Sequence, residues 1–128
     1  MNKENYEKVN IEQLIKAEKK LLQFSKMQNE AEETAVIKAF EYCYELSWKA
    51  LKRALLHEGI ETKSPREVFR KSAEKFNIEP QLWFDFLDMR NMTSHTYMDN
   101  AISKLIILLP SFKKAFSELI EVLQKNKN

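Results

Sequence analysis

Side chains suited to acid–base chemistry lie close together in one polar stretch of the chain, which contains Arg90, Asn91, His95 and Tyr97. A histidine near its unperturbed pKa of about 6.5 can take a proton from a ribose 2′-hydroxyl or give one to a leaving oxygen. An arginine fork can stabilise the negative charge that grows on a phosphate. These residue types therefore suit cleavage of RNA without a metal ion.

The remaining groups of this stretch can support the same chemistry. Asn91 can hold the phosphate or orient the histidine, and Tyr97 offers a stacking face and a hydroxyl. His95 supplies only one half of acid–base catalysis, since one imidazole cannot serve both leaving and attacking oxygens at once. A two-fold dimer that brings two copies of the stretch together would supply the other half.

The same residues also have an ordinary structural interpretation. An arginine, a histidine and a tyrosine near a helix end are often a C-terminal cation, a surface imidazole and a half-buried ring. The spacing of Arg90 and His95 alone does not decide between the two interpretations, because short motifs match by chance.

The spacing does make a prediction about the backbone. Each residue of an α-helix turns the side-chain direction by about 100°, so Arg90 and His95 would point about 140° apart on a continuous helix. We therefore expect the helix to end or loosen between them. Thr93, Ser94 and Thr96 favour this, since hydroxyl side chains compete for backbone hydrogen bonds.

Composition indicates helices as the elements that position this stretch. The chain has 128 residues, 44% hydrophobic and 31% charged, with one glycine and three prolines. Such a chain suits one domain, residues 1–128, and long helices with few tight turns. We expect an all-α fold, an up-and-down antiparallel bundle of four to five helices.

Apolar residues at spacings of three and four place the first two helices. The first is predicted over residues 11–27, with Asn10 as its N-cap. The second is predicted over residues 30–57, and Gly59 lies where a left-handed C-cap would end it. This second helix is longer than a compact domain needs, which leaves length available for a partner.

Residues that are typical of helix starts and ends predict where the remaining helices lie. Ser64, Pro65 and Glu67 predict the start of a short third helix that ends near Phe76 or Asn77. Pro80 starts a fourth helix that is apolar on most sides. A long fifth helix should kink or briefly break at Pro110, and the polar tail after Leu123 should fray. Its predicted seam consists of Ile102, Leu105, Leu109, Phe112, Phe116, Leu119 and Leu123.

Several function classes are disfavoured. The net charge of +2 is small for a domain that binds nucleic acid mainly through its positive charge. The N-terminal residues lack the apolar core of a signal peptide, and no apolar run approaches the length of a spanning helix, so we expect a cytoplasmic protein with no membrane segment.

We expect no cofactor and no metal, since the chain has no His/Cys cluster with ligand spacing and no glycine-rich phosphate loop. Cys43 is the only cysteine and falls in an apolar segment, where burial is the usual outcome.

Two segments together resemble a known family. The residues from Arg90 to Tyr97 resemble the Arg-polar-x3-His signature of HEPN proteins, with its additional His-x-Tyr. Phe40-Glu41, Glu45-Leu46 and Trp48-Lys49 resemble the second-helix signature of the same proteins. The chain is similar, over nearly its whole length, to the nucleotidyltransferase substrate-binding protein family of the HEPN superfamily, close relatives of the HepT-type toxins.

The resemblance implies a helical bundle, a homodimer and a minimal nucleotidyltransferase encoded nearby as partner. It also implies an RNase toxin that uses Arg90 and His95 and that the transferase silences by adding AMP to Tyr97. The alternative is a non-catalytic substrate-binding subunit of a two-component nucleotidyltransferase, or a helical dimer with no catalytic role.

Residues of the second helix have two interpretations as well. Glu41, Glu45 and Lys49 lie at spacings of four and would ordinarily form a solvated row of ion pairs. The resemblance instead implies that Glu41 or Glu45 faces Arg90 and orients it. His57 is interpreted as a cation at a helix C-terminus rather than a second catalytic base. Trp48 and Trp83 are interpreted as core or dimer-interface residues rather than base-stacking platforms.

Overall fold

The computed structural model describes residues 3–23, 30–95 and 98–126, with side chains for 11–23, 32–94 and 100–126. Five α-helices follow one another in this part of the chain, which contains no strand: α1 Lys3–Gln23, α2 Glu30–His57, α3 Pro65–Phe76, α4 Pro80–His95 and α5 Met98–Lys125. The predicted all-α bundle is confirmed.

Helix α2 lies at the centre of the bundle and packs against all four other helices. One hydrophobic core contains residues from all five helices. An aromatic cluster forms its middle: the ring centroids of Phe86 and Phe112 are 5.0 Å apart in an edge-to-face pair, and those of Phe69 and Trp83 are 5.3 Å apart and stacked. Because α2 and α4 both border this cluster, their relative positions are fixed by dense packing.

The second and third helices have the bounds and caps that the sequence predicts. Gly59 has a φ of 79°, and the N–H groups of Gly59 and Ile60 donate to the carbonyls of Leu56 and Leu55, each at 2.9 Å. This is the Schellman arrangement, in which a left-handed residue closes a helix end. At the start of α3 the Glu67 N–H donates to Ser64 Oγ at 3.2 Å.

The predicted seam of α5 faces the core, and all of its members are buried. Of the predicted kink or brief break at Pro110, the break is wrong, since α5 is continuous through this residue, and the kink stays a prediction. Proline has no backbone N–H, so the carbonyl of Ile106, four residues earlier, loses its intrahelical hydrogen bond. Both residues are exposed, so water can donate to this carbonyl. The helix also continues to Lys125 rather than fraying after Leu123, and Asn126 closes its last turn through the Val122 carbonyl.

The predicted start of the first helix is wrong. Helix α1 begins at Lys3, so Asn10 lies inside it and is not its N-cap. Lys3, Glu4, Glu7 and Lys8 are four of the seven helical residues before Asn10, and these strong helix formers extend the helix without a regular apolar pattern. The predicted end near Met27 lies outside the described residues. In the described helices no segment is both long and apolar enough to cross a membrane.

Cys43 is buried within α2, and its Sγ lies 3.4 Å from the carbonyl oxygen of Ala17. Burial raises the pKa of the Cys43 thiol to about 12, with a smaller contribution from the charge of Glu18. The thiol is therefore a neutral packing group at physiological pH.

Candidate functional site

Arg90 lies on α4 and reaches across to two carboxylates of α2. Its Nη1 donates to Glu41 Oε2 at 3.0 Å, and its Nε lies 3.7 Å from Glu45 Oε1. Glu41 and Glu45 are one turn apart on α2, so both face the same side. The structure thus brings together Arg90 and the two glutamates that the second-helix signature singled out.

The two glutamates hold Arg90 in different ways. The bond from Nη1 to Glu41 has the length of a charge-assisted hydrogen bond, and both side chains are only about a quarter exposed. The 3.7 Å separation at Nε is too long for a hydrogen bond, and among the described residues the buried Nε has no hydrogen-bond partner. Glu45 therefore acts on the guanidinium mainly as a charge.

Two hydroxyls complete the cluster, and sequence reasoning missed their role. Thr93 Oγ1 lies 2.7 Å from Glu41 Oε2 and 2.8 Å from the Arg90 carbonyl oxygen. Ser94 Oγ contacts Arg90 Nη1 and lies 3.4 Å from the Arg90 carbonyl oxygen. Thr93 and Ser94 follow Arg90 by three and four residues, the spacing that places them on its helix face.

These contacts explain why the helix does not end between Arg90 and His95. The prediction of a helix end there is wrong, because α4 is continuous to His95. Ser94 Oγ lies within hydrogen-bond distance of the Arg90 carbonyl one turn earlier, and Thr93 Oγ1 lies between that carbonyl and Glu41 Oε2, contacts that are compatible with a continuous helix. On a continuous helix the Cα atoms of Arg90 and His95 lie about 140° apart around the axis.

The other predicted site residues have different surroundings. Lys49 Nζ lies 3.8 Å from Glu45 Oε2, which places it at the edge of the cluster. Asn91 is exposed on α4, and its predicted role stays a prediction. His95 is the last residue of α4, but its side chain lies outside the described residues, as does the whole of Tyr97. Their roles also stay predictions.

Aromatic residues border the cluster on the α2 side. Trp48 Nε1 donates to Glu45 Oε2 at 3.2 Å. Tyr44 is buried, and its hydroxyl has no hydrogen-bond partner in the described part of the chain. Burial, followed by the negative charge of Glu45, raises the pKa of Tyr44 well above its usual value. Tyr44 therefore stays neutral beside the charged groups.

The cluster can hold an arginine fork at a fixed position. Within the part of the chain that is described, Arg90 Nη2 makes no hydrogen bond, so two of its five N–H donors remain for a ligand oxygen. Among the described residues, no three histidine, cysteine, aspartate or glutamate side chains lie together where they could hold a metal ion. The site that the structure does describe is an anchored guanidinium between α2 and α4.

The five-helix fold and the two matched signatures define a protein of the HEPN type. A family model described as "Nucleotidyltransferase substrate binding protein like" matches residues 2–125. The chain belongs to this family.

Two relatives extend this result. The chain is similar to a protein of Haemophilus influenzae named "Probable ribonuclease HepT", with 32% identity over 96 residues that cover 70% of this chain and 65% of that protein. The match thus spans just under two thirds of the relative's own length. A crystal structure of a protein from Thermus thermophilus is 28% identical, with a TM-score of 0.78 over 86% of this chain and 98% of the other.

Proposed function

We propose that this chain is an HEPN-type ribonuclease of a toxin–antitoxin pair, which cleaves RNA through Arg90 and His95 without a metal ion. The observation that carries the proposal is the anchoring of Arg90 by Glu41 and Glu45 on the helix that ends at His95. The name of the Haemophilus influenzae relative gives independent support.

The proposed reaction is a transesterification within the RNA backbone. His95 takes the proton of a ribose 2′-hydroxyl, and the oxygen attacks the adjacent phosphorus. The bond to the 5′-oxygen breaks, which leaves a 2′,3′-cyclic phosphate on one product. Because Arg90 and His95 of one copy lie about 140° apart around a continuous helix, the proposal has the phosphate bind between two copies. Arg90 of either copy stabilises the additional charge on the phosphate oxygens, and a protonated His95 of the second copy gives a proton to the leaving oxygen.

A second copy is therefore part of the proposal, and an apolar surface beside Arg90 supports it. A surface cavity between α4 and α5 has apolar walls with charged residues beside them, and it is lined by Met89, Met92, Ile107 and Leu108 together with Asp85, Asp88 and Lys104. Ile107 is 81% exposed there and adjoins the other apolar side chains of the cavity, and contiguous apolar surface of this kind marks protein interfaces. A homodimer that packs on this surface would bring two α4 C-terminal halves together.

The test of cleavage uses purified full-length protein and a defined RNA with a metal chelator present. We expect Arg90→Ala and His95→Ala each to lower the cleavage rate by about a hundredfold or more. Arg70→Ala, on an exposed arginine of α3, is the matched control and should cleave like the wild type. If all four proteins cleave alike, the activity comes from a contaminant and the proposal fails.

We further propose that a minimal nucleotidyltransferase encoded nearby silences the chain by adding AMP to Tyr97. The family description supports a transferase partner. Incubation with that transferase and ATP should add AMP to the wild type, measured by intact mass, and should abolish RNA cleavage. Tyr97→Phe should remove the adduct, whereas Tyr42→Phe, at a tyrosine that is 49% exposed, should retain it. An adduct on Tyr97→Phe would contradict this assignment.

A non-catalytic substrate-binding subunit is the second candidate, favoured by the wording of the family description. It predicts that the chain raises the turnover of the transferase while cleaving no RNA, and that His95→Ala raises it equally. Transferase turnover measured with and without each variant separates the two functions.

A further inference from the structure

The outer surface of the C-terminal half of α2 forms a groove with a volume of about 470 Å³. We call this surface the α2 groove, and its lining residues are Trp48, Lys49, Lys52, Arg53, Leu56 and His57. Of these residues, sequence reasoning named only Lys49 as substrate-binding or orienting, and it interpreted Trp48 as core or interface.

The α2 groove concentrates positive charge. Lys49, Lys52 and Arg53 line it together, and none of its lining residues is acidic. The chain as a whole carries 21 basic and 19 acidic residues, so three cations that line one groove are a local concentration of positive charge. Lys49 also lies 3.8 Å from Glu45, just outside the lining. Lys49 and Arg53 are one helical turn apart, about 6 Å along the axis, so they can meet different phosphates of one strand.

The groove also contains an aromatic ring held in place. Trp48 is half-buried, whereas Trp83 is only 2% exposed. The hydrogen bond from Trp48 Nε1 to Glu45 limits rotation of the ring. Leu56, which is 45% exposed, adds apolar surface nearby. A fixed ring beside cations is the combination that binds a stacked base and its phosphates.

Glu45 connects the groove to Arg90. One of its carboxylate oxygens accepts from Trp48 and lies 3.8 Å from Lys49, while the other lies 3.7 Å from Arg90. The α2 groove and the anchored guanidinium are therefore adjacent, on either side of one carboxylate group.

We propose that the α2 groove binds single-stranded RNA next to the cleavage site. Lys49, Lys52 and Arg53 bind successive phosphates, and Trp48 stacks on a base. The choice of RNA rests on the proposed nuclease function. An acidic protein surface would satisfy the three cations but would not use the aromatic ring.

The binding test uses a short single-stranded RNA whose 2′-hydroxyls are methylated, so that it cannot be cleaved. Fluorescence anisotropy of the labelled RNA is measured with the full-length protein over a range of salt concentrations. We expect Lys52→Gln/Arg53→Gln to weaken binding about tenfold at low salt and to lower the salt slope by about 1.4, since each single-strand phosphate contact contributes about 0.7. The matched control is Arg70→Gln/Lys71→Gln, an exposed pair on α3 that should bind like the wild type.

Intrinsic fluorescence tests the stacking part. The chain has two tryptophans, and Trp83 is buried, so RNA should quench Trp48 alone. We expect Trp48→Phe to lose the quenching and to bind more weakly. Equal affinity in the wild type and the groove variant, equal losses in the α3 control, or displacement of the RNA by polyglutamate at equal charge would each overturn the proposal.

The outcome separates this inference from the nuclease proposal. If RNA is bound through the groove but the wild type does not cleave, the nuclease proposal fails and the groove remains an RNA site. If the wild type cleaves and the groove variant binds and cleaves equally well, only the groove inference fails.

Discussion

Arg90 owes its position to residues of another helix. Its Nη1 bonds to Glu41, which also accepts from Thr93, so one carboxylate oxygen joins two groups of α4 to α2. A long arginine side chain loses considerable rotamer freedom when it is fixed, and these bonds offset that loss before a ligand arrives. A pre-positioned guanidinium is the arrangement that best stabilises charge appearing only in a transition state.

The first prediction concerns Glu41→Gln. Glutamine keeps the shape of the side chain but removes the charge, so the bond to Arg90 weakens and the guanidinium is less firmly held. We expect the free energy of unfolding to fall by about 1 kcal/mol and RNA cleavage to fall by more than this loss of folded protein explains. Urea unfolding and cleavage rates on the same samples measure both quantities.

The control for this prediction is Glu74→Gln, at an exposed glutamate of α3. It removes the same charge and should leave both quantities unchanged. Unaltered cleavage by Glu41→Gln would show that the fixed position of Arg90 is not needed.

At the scale of elements, the two left-handed helix ends differ in the residue that occupies them. Gly59 ends α2 with a φ of 79°, and Asn77 ends α3 with a φ of 58°. A β-carbon added at Gly59 would meet no atom within 4 Å, so only backbone strain opposes a side chain there. Asparagine tolerates this conformation better than other residues with a side chain.

The second prediction follows from this difference. Gly59→Ala should lower the free energy of unfolding by about 1 to 2 kcal/mol, the cost of a left-handed alanine. Asn77→Gly should change it by less than about 1 kcal/mol, because both residues accept the conformation. Denaturant unfolding of the two variants measures this, and equal changes would contradict the explanation.

Local signals decided which parts of the fold could be predicted from the sequence. The bounds of α2 and the start of α3 follow from Gly59, Ser64 and Pro65, which act within one turn. The end of α4 could not be predicted, because the Thr93 and Ser94 hydroxyls can either break a helix or bond back along it. The choice depends on the contacts of Thr93 with Glu41, 52 residues away in sequence.

The site shows the same limit. The pairing of Arg90 with Glu41 and Glu45 was expected from the family's second-helix signature, whereas their spacing alone was equally typical of a solvated row. The partial exposure of Trp48, which is half-buried against the core, was not predicted. Whether a residue at the edge of an apolar stripe is buried depends on how α2 is rotated against its neighbours, and that is a property of the packed bundle.

At the scale of the whole molecule, the third prediction concerns assembly. Ile107 is 81% exposed on the apolar surface between α4 and α5, so its replacement costs a monomer almost nothing. We expect the wild type to be a dimer in sedimentation equilibrium and Ile107→Glu to be a monomer with the same helical content.

The comparison variant for this prediction is Leu22→Glu, at a leucine of α1 that is 53% exposed. This variant should remain dimeric. A dimeric Ile107→Glu protein would place the interface on another surface of the bundle.

The 49 residues that separate Glu41 from Arg90 also set an order of events during synthesis. The ribosome releases α2 before α4, so both carboxylates emerge while the arginine is still unmade. Arg90 acquires its fixed position only after α4 has docked against α2 in the closed bundle. Under the proposed function, the complete site forms only after the bundle has closed and a second copy has bound, so the RNA of the ribosome that makes the chain meets this site only after folding and assembly.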